Sequence, residues 1–193
     1  MNYLAHAFLS PNIPSIRTGN LIGDFVKKNQ IQTFDKNIQI GLNLHRTIDQ
    51  FTDKHDLVQQ AISLLKPEFP LSAGIFTDIL FDHFLANDSL YFASNDNLKN
   101  FTQKVYTDLY EHRHIMNDSM LEFFHYMKKY DWLYHYKYQE GLSKSIHGIC
   151  KRVPRLGDPT RAMNQILLHY EALQSLYKAY FPELQHEIMK HYR

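Results

Sequence analysis

Residues 41–53 read GLNLHRTIDQFTD. Leu42, Leu44, Ile48 and Phe51 recur at steps near three and four, the spacing of one apolar face of an α-helix. His45, Asp49, Thr52 and Asp53 fall on a stripe of the same helix, because residues three and four apart are neighbours on its surface. A second stretch, FTDILFDHFLA at 76–86, has the same character. Ile75, Ile79, Leu80, Phe84 and Leu85 keep helical spacing, Asp78 and Asp82 lie one turn apart, and His83 follows. Charged groups inside so apolar a helix are costly to bury unless paired, hydrogen-bonded or bound to a cation.

The same period runs through nearly the whole chain, and alternating strand patterns of useful length are absent. It predicts helices near 2–9, 18–28, 37–54, 56–66, 72–87, 97–112, 117–137, 139–150 and 160–192. Ser72, Asn97 and Asn117 stand as N-caps. The last run should break near Phe181-Pro182, because the residue before a proline is disfavoured in helical conformation. The loop KRVPRLGDPT at 151–160 has distinct chemistry, with two Pro, one Gly and three basic residues. Linkers are short, so residues 1–193 read as one all-α domain, a helical bundle.

Composition narrows the function classes. The chain has 193 residues, 44% apolar and 21% charged, which is globular rather than disordered. Its net charge of +1 argues against a dedicated nucleic-acid binder. The lone Cys150 excludes an internal disulfide and a Cys-based zinc site. No apolar run approaches ~18 residues and no secretory signal opens the chain, so a cytoplasmic protein with no membrane partner is expected. The feature to explain is the 12 His, since imidazole is both a metal ligand and a proton carrier near neutral pH.

Spacing alone assigns little. His114 and Asp118 repeat the His45/Asp49 step among polar neighbours. The Asp residues of the two helices equally suit helix capping or pairing with Arg46 and Lys54. A metal site is the alternative, and His nitrogen with Asp oxygens suits Mn, Fe or Zn, or Mg where carboxylates dominate. Two earlier positions extend the set. His6 interrupts the apolar YLAHAFL, where a hydrogen-bonded core histidine is the plain alternative. Asp24 stands in GNLIGDFVKK, where Gly19 and Gly23 permit close backbone approach and the Gly19-Asn20 end offers amides to an anion.

MNYLAH, GNLIGDFVK, GLNLHRTIDQFTD, DILFDHFLA and RVPRL occur in that order between residues 1 and 156. In order and separation they resemble the acyl carrier protein phosphodiesterase family. The resemblance implies an HD-domain-like, all-helical, metal-dependent phosphodiesterase. Its reaction would cleave the phosphodiester joining 4'-phosphopantetheine to a serine of holo acyl carrier protein, an acidic partner. It also implies a divalent metal, Mn first and Mg or Fe as alternatives. Asp24, His45, Asp78, Asp82 and His83 become ligand candidates, and His6 and Asp49 candidates for ligation or proton transfer. One departure stands out: the wider superfamily takes its name from a His-Asp doublet, whereas this chain has Asp82 then His83.

Other groups are assigned around that chemistry. His6, Arg46 and Asp49 are the catalytic candidates; Arg46 suits phosphate oxygens through its forked donors, or else pairs with Asp49 or Asp53. Asn20, Arg152 and Arg155 are the substrate-binding candidates. Lys137, Lys144, Lys151, Arg152, Arg155 and Arg161 outnumber Glu140 and Asp158 between 137 and 161. Such a surface suits an acidic partner, or is an ordinary solvated face. The aromatic run Phe123, Phe124, Tyr126, Tyr130, Trp132, Tyr134, Tyr136 and Tyr138 reads as core or as the lining of a pantetheine groove. Two competing readings remain: a hydrolase of small phosphate esters or nucleotides, and a non-enzymatic helical module for an acidic partner.

Overall fold

The computed structural model describes residues 2–190. Among them the regular structure is entirely helical: α1 (Tyr3–Leu9), α2 (Pro14–Leu21), α3 (Lys36–Lys54), α4 (Asp56–Leu65), α5 (Ala73–Ala86), α6 (Asn95–Glu111), α7 (Asp118–Lys129), α8 (Trp132–His135), α9 (Gln139–Arg152), α10 (Pro159–Leu168) and α11 (Tyr170–Met189). Short 3-10 turns at Gly23–Phe25, Lys28–Thr33, Arg113–Ile115 and Pro154–Leu156 complete it. One continuous hydrophobic core joins these elements, so the all-α, single-domain expectation matches.

The helix ends follow local chemistry. α2 starts at Pro14, whose fixed φ and missing N–H suit the first helical position, and stops before Gly23. The helix expected over 18–28 is therefore earlier and shorter. Asn117 caps α7, its side chain accepting from the Met120 N–H at 3.0 Å. Asn97 does not cap α6; Ser94 does, and Asn97 supplies the N–H it accepts. Ser72 precedes α5, but its hydroxyl donates to the Leu156 carbonyl at 2.6 Å instead of capping. The helix expected over 117–137 breaks at Asp131, which takes φ 48°. Asp tolerates that left-handed conformation, and an ion pair from Lys99 holds the turn.

The expected break at Phe181-Pro182 is absent. Pro182 sits inside α11, and the chain turns at His169 instead. Buried positions of α10 end at Ile166 and those of α11 begin at Leu173, on either side of that turn. An interior proline costs about 3 kcal/mol. Tyr180, Phe181, Leu184 and Ile188 are buried around it, and each contributes about 1.5–3 kcal/mol. Pro182 itself faces solvent, where the carbonyl it cannot satisfy can be hydrated. The expected end of this helix at 192 lies outside the described residues.

Two interactions fix α2, one against α3 and one against α6. Gly19 and Gly41 let α2 and α3 meet backbone to backbone: a Cβ on Gly19 would lie 2.3 Å from the Ile38 carbonyl oxygen, and one on Gly41 2.1 Å from that of Ile16. The buried Arg17–Asp108 ion pair ties α2 to α6. The hydrophobic centre is aromatic, with Phe81 and Phe84 of α5 against Tyr177 and Tyr180 of α11.

Candidate metal centre

Because α2 is pressed onto α3, the end of α2 faces the middle of α3. Asn20, fully buried, uses this position to set two histidines. Its backbone carbonyl lies 2.8 Å from His45 Nδ1, so that nitrogen is the donor. Its side-chain Nδ2 donates to the His6 carbonyl at 2.8 Å and to Ser10 Oγ at 2.9 Å, which leaves Oδ1 to accept from His6 Nδ1 at 2.8 Å. Both rings therefore carry a hydrogen on Nδ1 and turn Nε2 the other way. The rings stack at 4.3 Å, 21° from parallel. Gly23 makes room, since a Cβ there would lie 2.2 Å from His45 Cγ.

The two Nε2 atoms converge on carboxylates. His6 Nε2 is 3.2 Å from Asp49 Oδ1, and His45 Nε2 is 3.1 Å from Asp49 Oδ2 and 3.3 Å from Asp24 Oδ1. Tyr3 donates its hydroxyl to Asp24 Oδ2 at 3.2 Å. His6 and His45 are buried, Asp49 is half-buried and Asp24 is exposed, so the cluster opens to solvent on its carboxylate side. His6, His45 and Asp49 can each offer a ligand atom within 4.8 Å of the others.

The charges are unevenly balanced. Burial lowers the His6 pKa, and the neighbouring His45 charge adds to that. Burial also works against a charged His45, yet its bonds to Asp24 and Asp49 push it up to about 9. The bond to His45 holds Asp24 below the usual carboxylate range. Asp49 is held down as well, because both histidines outweigh its burial. One proton on His45 thus satisfies one nitrogen, while His6 Nε2 is buried with no aligned hydrogen-bond partner. A neutral imidazole lone pair facing a carboxylate oxygen is repulsive, and a cation between them relieves it. Nδ1–H held by a protein oxygen with Nε2 left free is also the usual arrangement behind metal-ligating histidine. The residues present fit a divalent ion.

A sequence model described as "Acyl carrier protein phosphodiesterase" matches residues 1–184. The chain belongs to the acyl carrier protein phosphodiesterase family. Curated relatives carrying that name are similar along almost their full length. The protein of Enterobacter sp. (strain 638) is 29% identical over 187 residues, spanning 95% of each chain. That of Escherichia coli O6:H1 is 28% identical over 194 residues, spanning 97% of each. That of Photorhabdus laumondii is 28% identical over 182 residues, spanning 94% of this chain and 92% of the relative. No solved structure matches the chain.

For this member of the acyl carrier protein phosphodiesterase family, the structure redistributes several expected roles. It brings His6, Asp24, His45 and Asp49 together. It does not bring in Asp78, Asp82 or His83. Asp82 is fully buried and accepts from the Leu4 and Ala5 N–H groups at 2.7 and 3.0 Å, so it caps α1. His83 donates from Nδ1 to the Tyr136 carbonyl at 2.6 Å and accepts the Tyr170 hydroxyl on Nε2 at 2.8 Å, leaving no lone pair for a metal. Asp78 is half-buried and acts electrostatically on Asp53 and Asp82. The Asp82-His83 doublet is therefore structural. Asn20, expected at the substrate, stands behind the histidines with every polar side-chain atom engaged.

The arginines separate as well. Arg46 is half-buried beside His45 on α3, and among the described residues it pairs with neither Asp49 nor Asp53. Arg152, exposed at the end of α9, lies near the cluster: burial and Asp24 push the Tyr3 phenol up, and Arg152 is the charge that opposes them. Arg155 lines a different groove of about 170 Å³ with Glu68, Ser72 and Arg161. None of His6, Asp24, His45 and Asp49 lines that groove. Tyr3 was missed in the sequence because its hydroxyl matters only through the α1 contact with Asp24.

Proposed function

We propose that this protein hydrolyses the phosphodiester between 4'-phosphopantetheine and the serine of holo acyl carrier protein, releasing apo carrier protein and 4'-phosphopantetheine. The observation that carries the reading is the convergence of two Nδ1-anchored histidines on Asp49, in a chain that belongs to this family along nearly its whole length. His6, His45, Asp49 and Asp24 would hold one divalent ion, Mn in the first instance. The chemistry supplied by such an ion is Lewis acidity toward water and toward a phosphoryl oxygen.

The chain's own residues do the rest. Asn20 fixes both rings, so the reacting geometry needs no reorganisation when substrate arrives. Tyr3 keeps its proton near neutral pH, because burial and Asp24 disfavour the phenolate, and it can donate a hydrogen bond at the open edge of the cluster. Arg152 and Arg46 supply positive charge for the phosphate oxygens. Lys151 and Arg155 extend that charge along the surface toward an acidic carrier, raising the association rate. The described helices include none long and apolar enough to cross a membrane, and a cytoplasmic location suits a carrier-protein substrate.

The test is mass spectrometry of holo carrier protein incubated with the purified chain and Mn. Loss of the phosphopantetheine mass is expected, and it should disappear in His45→Gln. Intact holo carrier across Mn, Mg, Fe and Zn would overturn the reading, and turnover of nucleotides in its place would identify a small-ester hydrolase.

A further inference from the structure

One group of large aromatic side chains is sealed in the core, with Phe76, Phe81, Phe84, Tyr177, Tyr180 and Phe181 each 2% exposed or less. A second aromatic group is different. Tyr3, Phe25, Phe123 and Trp132 are all half-buried. Phe123 is its hub, 5.0 Å from the Tyr3 ring, 5.3 Å from Phe25 and 5.4 Å from Trp132. The group is continuous with the metal centre at two points. Tyr3 donates its hydroxyl to Asp24, and Phe25 directly follows Asp24 in the chain. Four rings from α1, the Gly23–Phe25 turn, α7 and α8 thus make a wall that starts at the candidate metal centre.

We propose that the uncharged pantetheine arm lies along this wall while its phosphodiester is held at His6, His45 and Asp49. The inference rests on the phosphodiesterase reading and adds to it which surface receives which part of the substrate. That substrate has three chemically distinct parts: an anionic phosphodiester, a neutral chain of methylenes, methyls and two amides, and an acidic protein. The surroundings divide the same way. Donors for a cation lie at the centre, Lys151 and Arg155 offer positive charge to the protein, and the four rings carry no charge. Half-buried aromatic faces suit an arm that is apolar along its length with polar amides at intervals. An acidic protein surface would gain nothing from them. The wall also explains how a neutral arm contributes to recognition when the reacting bond is only at its end.

Trp132 is the sole tryptophan, so its fluorescence reports on the wall directly. The full-length protein is titrated with pantetheine, which lacks the phosphate, with 4'-phosphopantetheine, and with inorganic phosphate. A saturable change in Trp132 emission is expected with the first two and none with the third. Phe123→Ala, and Phe123→Leu as the variant that keeps apolar volume, should weaken that response and raise KM for holo carrier protein by about tenfold, the effect of one aromatic contact. Mn affinity by calorimetry should stay at the wild-type value, which shows that the fold and the metal centre survive. Unchanged Trp132 emission up to millimolar pantetheine, with a wild-type KM in both Phe123 variants, would place the arm elsewhere. If the wild-type protein leaves holo carrier intact, the phosphodiesterase reading fails separately, and the pantetheine titration still decides whether the wall binds the arm.

Discussion

Replacing Asp82 by Ala separates a ligand from a cap. In the structure its carboxylate accepts the N–H groups of Leu4 and Ala5 at 2.7 and 3.0 Å, in the first turn of α1. Those donors have no partner within a seven-residue helix, since the first N–H groups of any helix lack one. Asp82→Ala leaves both buried and unpaired, at about 1–3 kcal/mol each. A loss near 4 kcal/mol lowers Tm by about 8–16 °C in a chain of this length. Asp82→Asn keeps one acceptor and most of the volume, so it should fall between Ala and wild type. Mn affinity, measured by calorimetry well below the melting range, should stay within a few-fold of wild type in both.

The same carboxylate has a pH signature. Burial pushes Asp82 up to about 7, against the pull of its two backbone bonds. Its folded pKa lies above the unfolded value of 3.8, so its contribution is complete below that value and lost as pH rises through about 7. The wild-type lead over Asp82→Asn should therefore shrink between about pH 4 and 7. An Asp82→Ala protein that melts within about 2 °C of wild type but no longer binds Mn would refute the cap and restore Asp82 as a ligand.

Arg17→Met strands the buried Asp108 carboxylate and should lose about 3–5 kcal/mol in urea denaturation, with most of it recovered in Arg17→Met/Asp108→Leu. Gly23→Ala drives a methyl into the His45 ring and should cut turnover about 100-fold, the scale of a 1 Å misplacement, with a Tm loss of about 2–12 °C from over-packing. In metal-free protein, His45 is pushed up to about 9 because its bonds to Asp24 and Asp49 outweigh burial. Its stabilisation is therefore complete below the unfolded value of 6.5 and lost as pH rises through about 9. Thermal melts should show the wild-type lead over His45→Gln shrinking across that window, and a lead that grows would reverse the assignment.

Helical class was legible because a period near 3.6 needs no tertiary information. Breaks were less legible. Asp131 turns left-handed where Lys99 reaches it from α6, and Pro182 stays helical with its neighbours buried around it. The site divided in the same way. His45 and Asp49 share one helix, so their stripe shows in the sequence. Asn20 serves His6 with its side chain and His45 with its carbonyl, and nothing in a linear pattern distinguishes a residue behind a histidine from one in front of it. Asp82 was misread for a physical reason: a carboxylate in an apolar helix does require positive potential, and the N-terminus of α1 supplies it where a metal ion was expected.

That requirement can be followed through the molecule. Asp82 meets two backbone N–H groups, and Asp108 meets the Arg17 guanidinium. Each is satisfied by groups the chain already holds, so neither calls for a ligand. Asp49 faces only two imidazole nitrogens, and both rings have spent their Nδ1 hydrogens on Asn20. A single proton on His45 neutralises one contact and leaves His6 Nε2 without an aligned partner. A second proton would put two charged rings 4.3 Å apart in a buried stack. A divalent ion would satisfy both nitrogens and the carboxylate at once, at the edge of the core where Asp24 is exposed. Of these three carboxylates Asp49 is the half-buried one on the solvent side of the cluster, and a divalent ion there would complete its surroundings and serve the proposed chemistry.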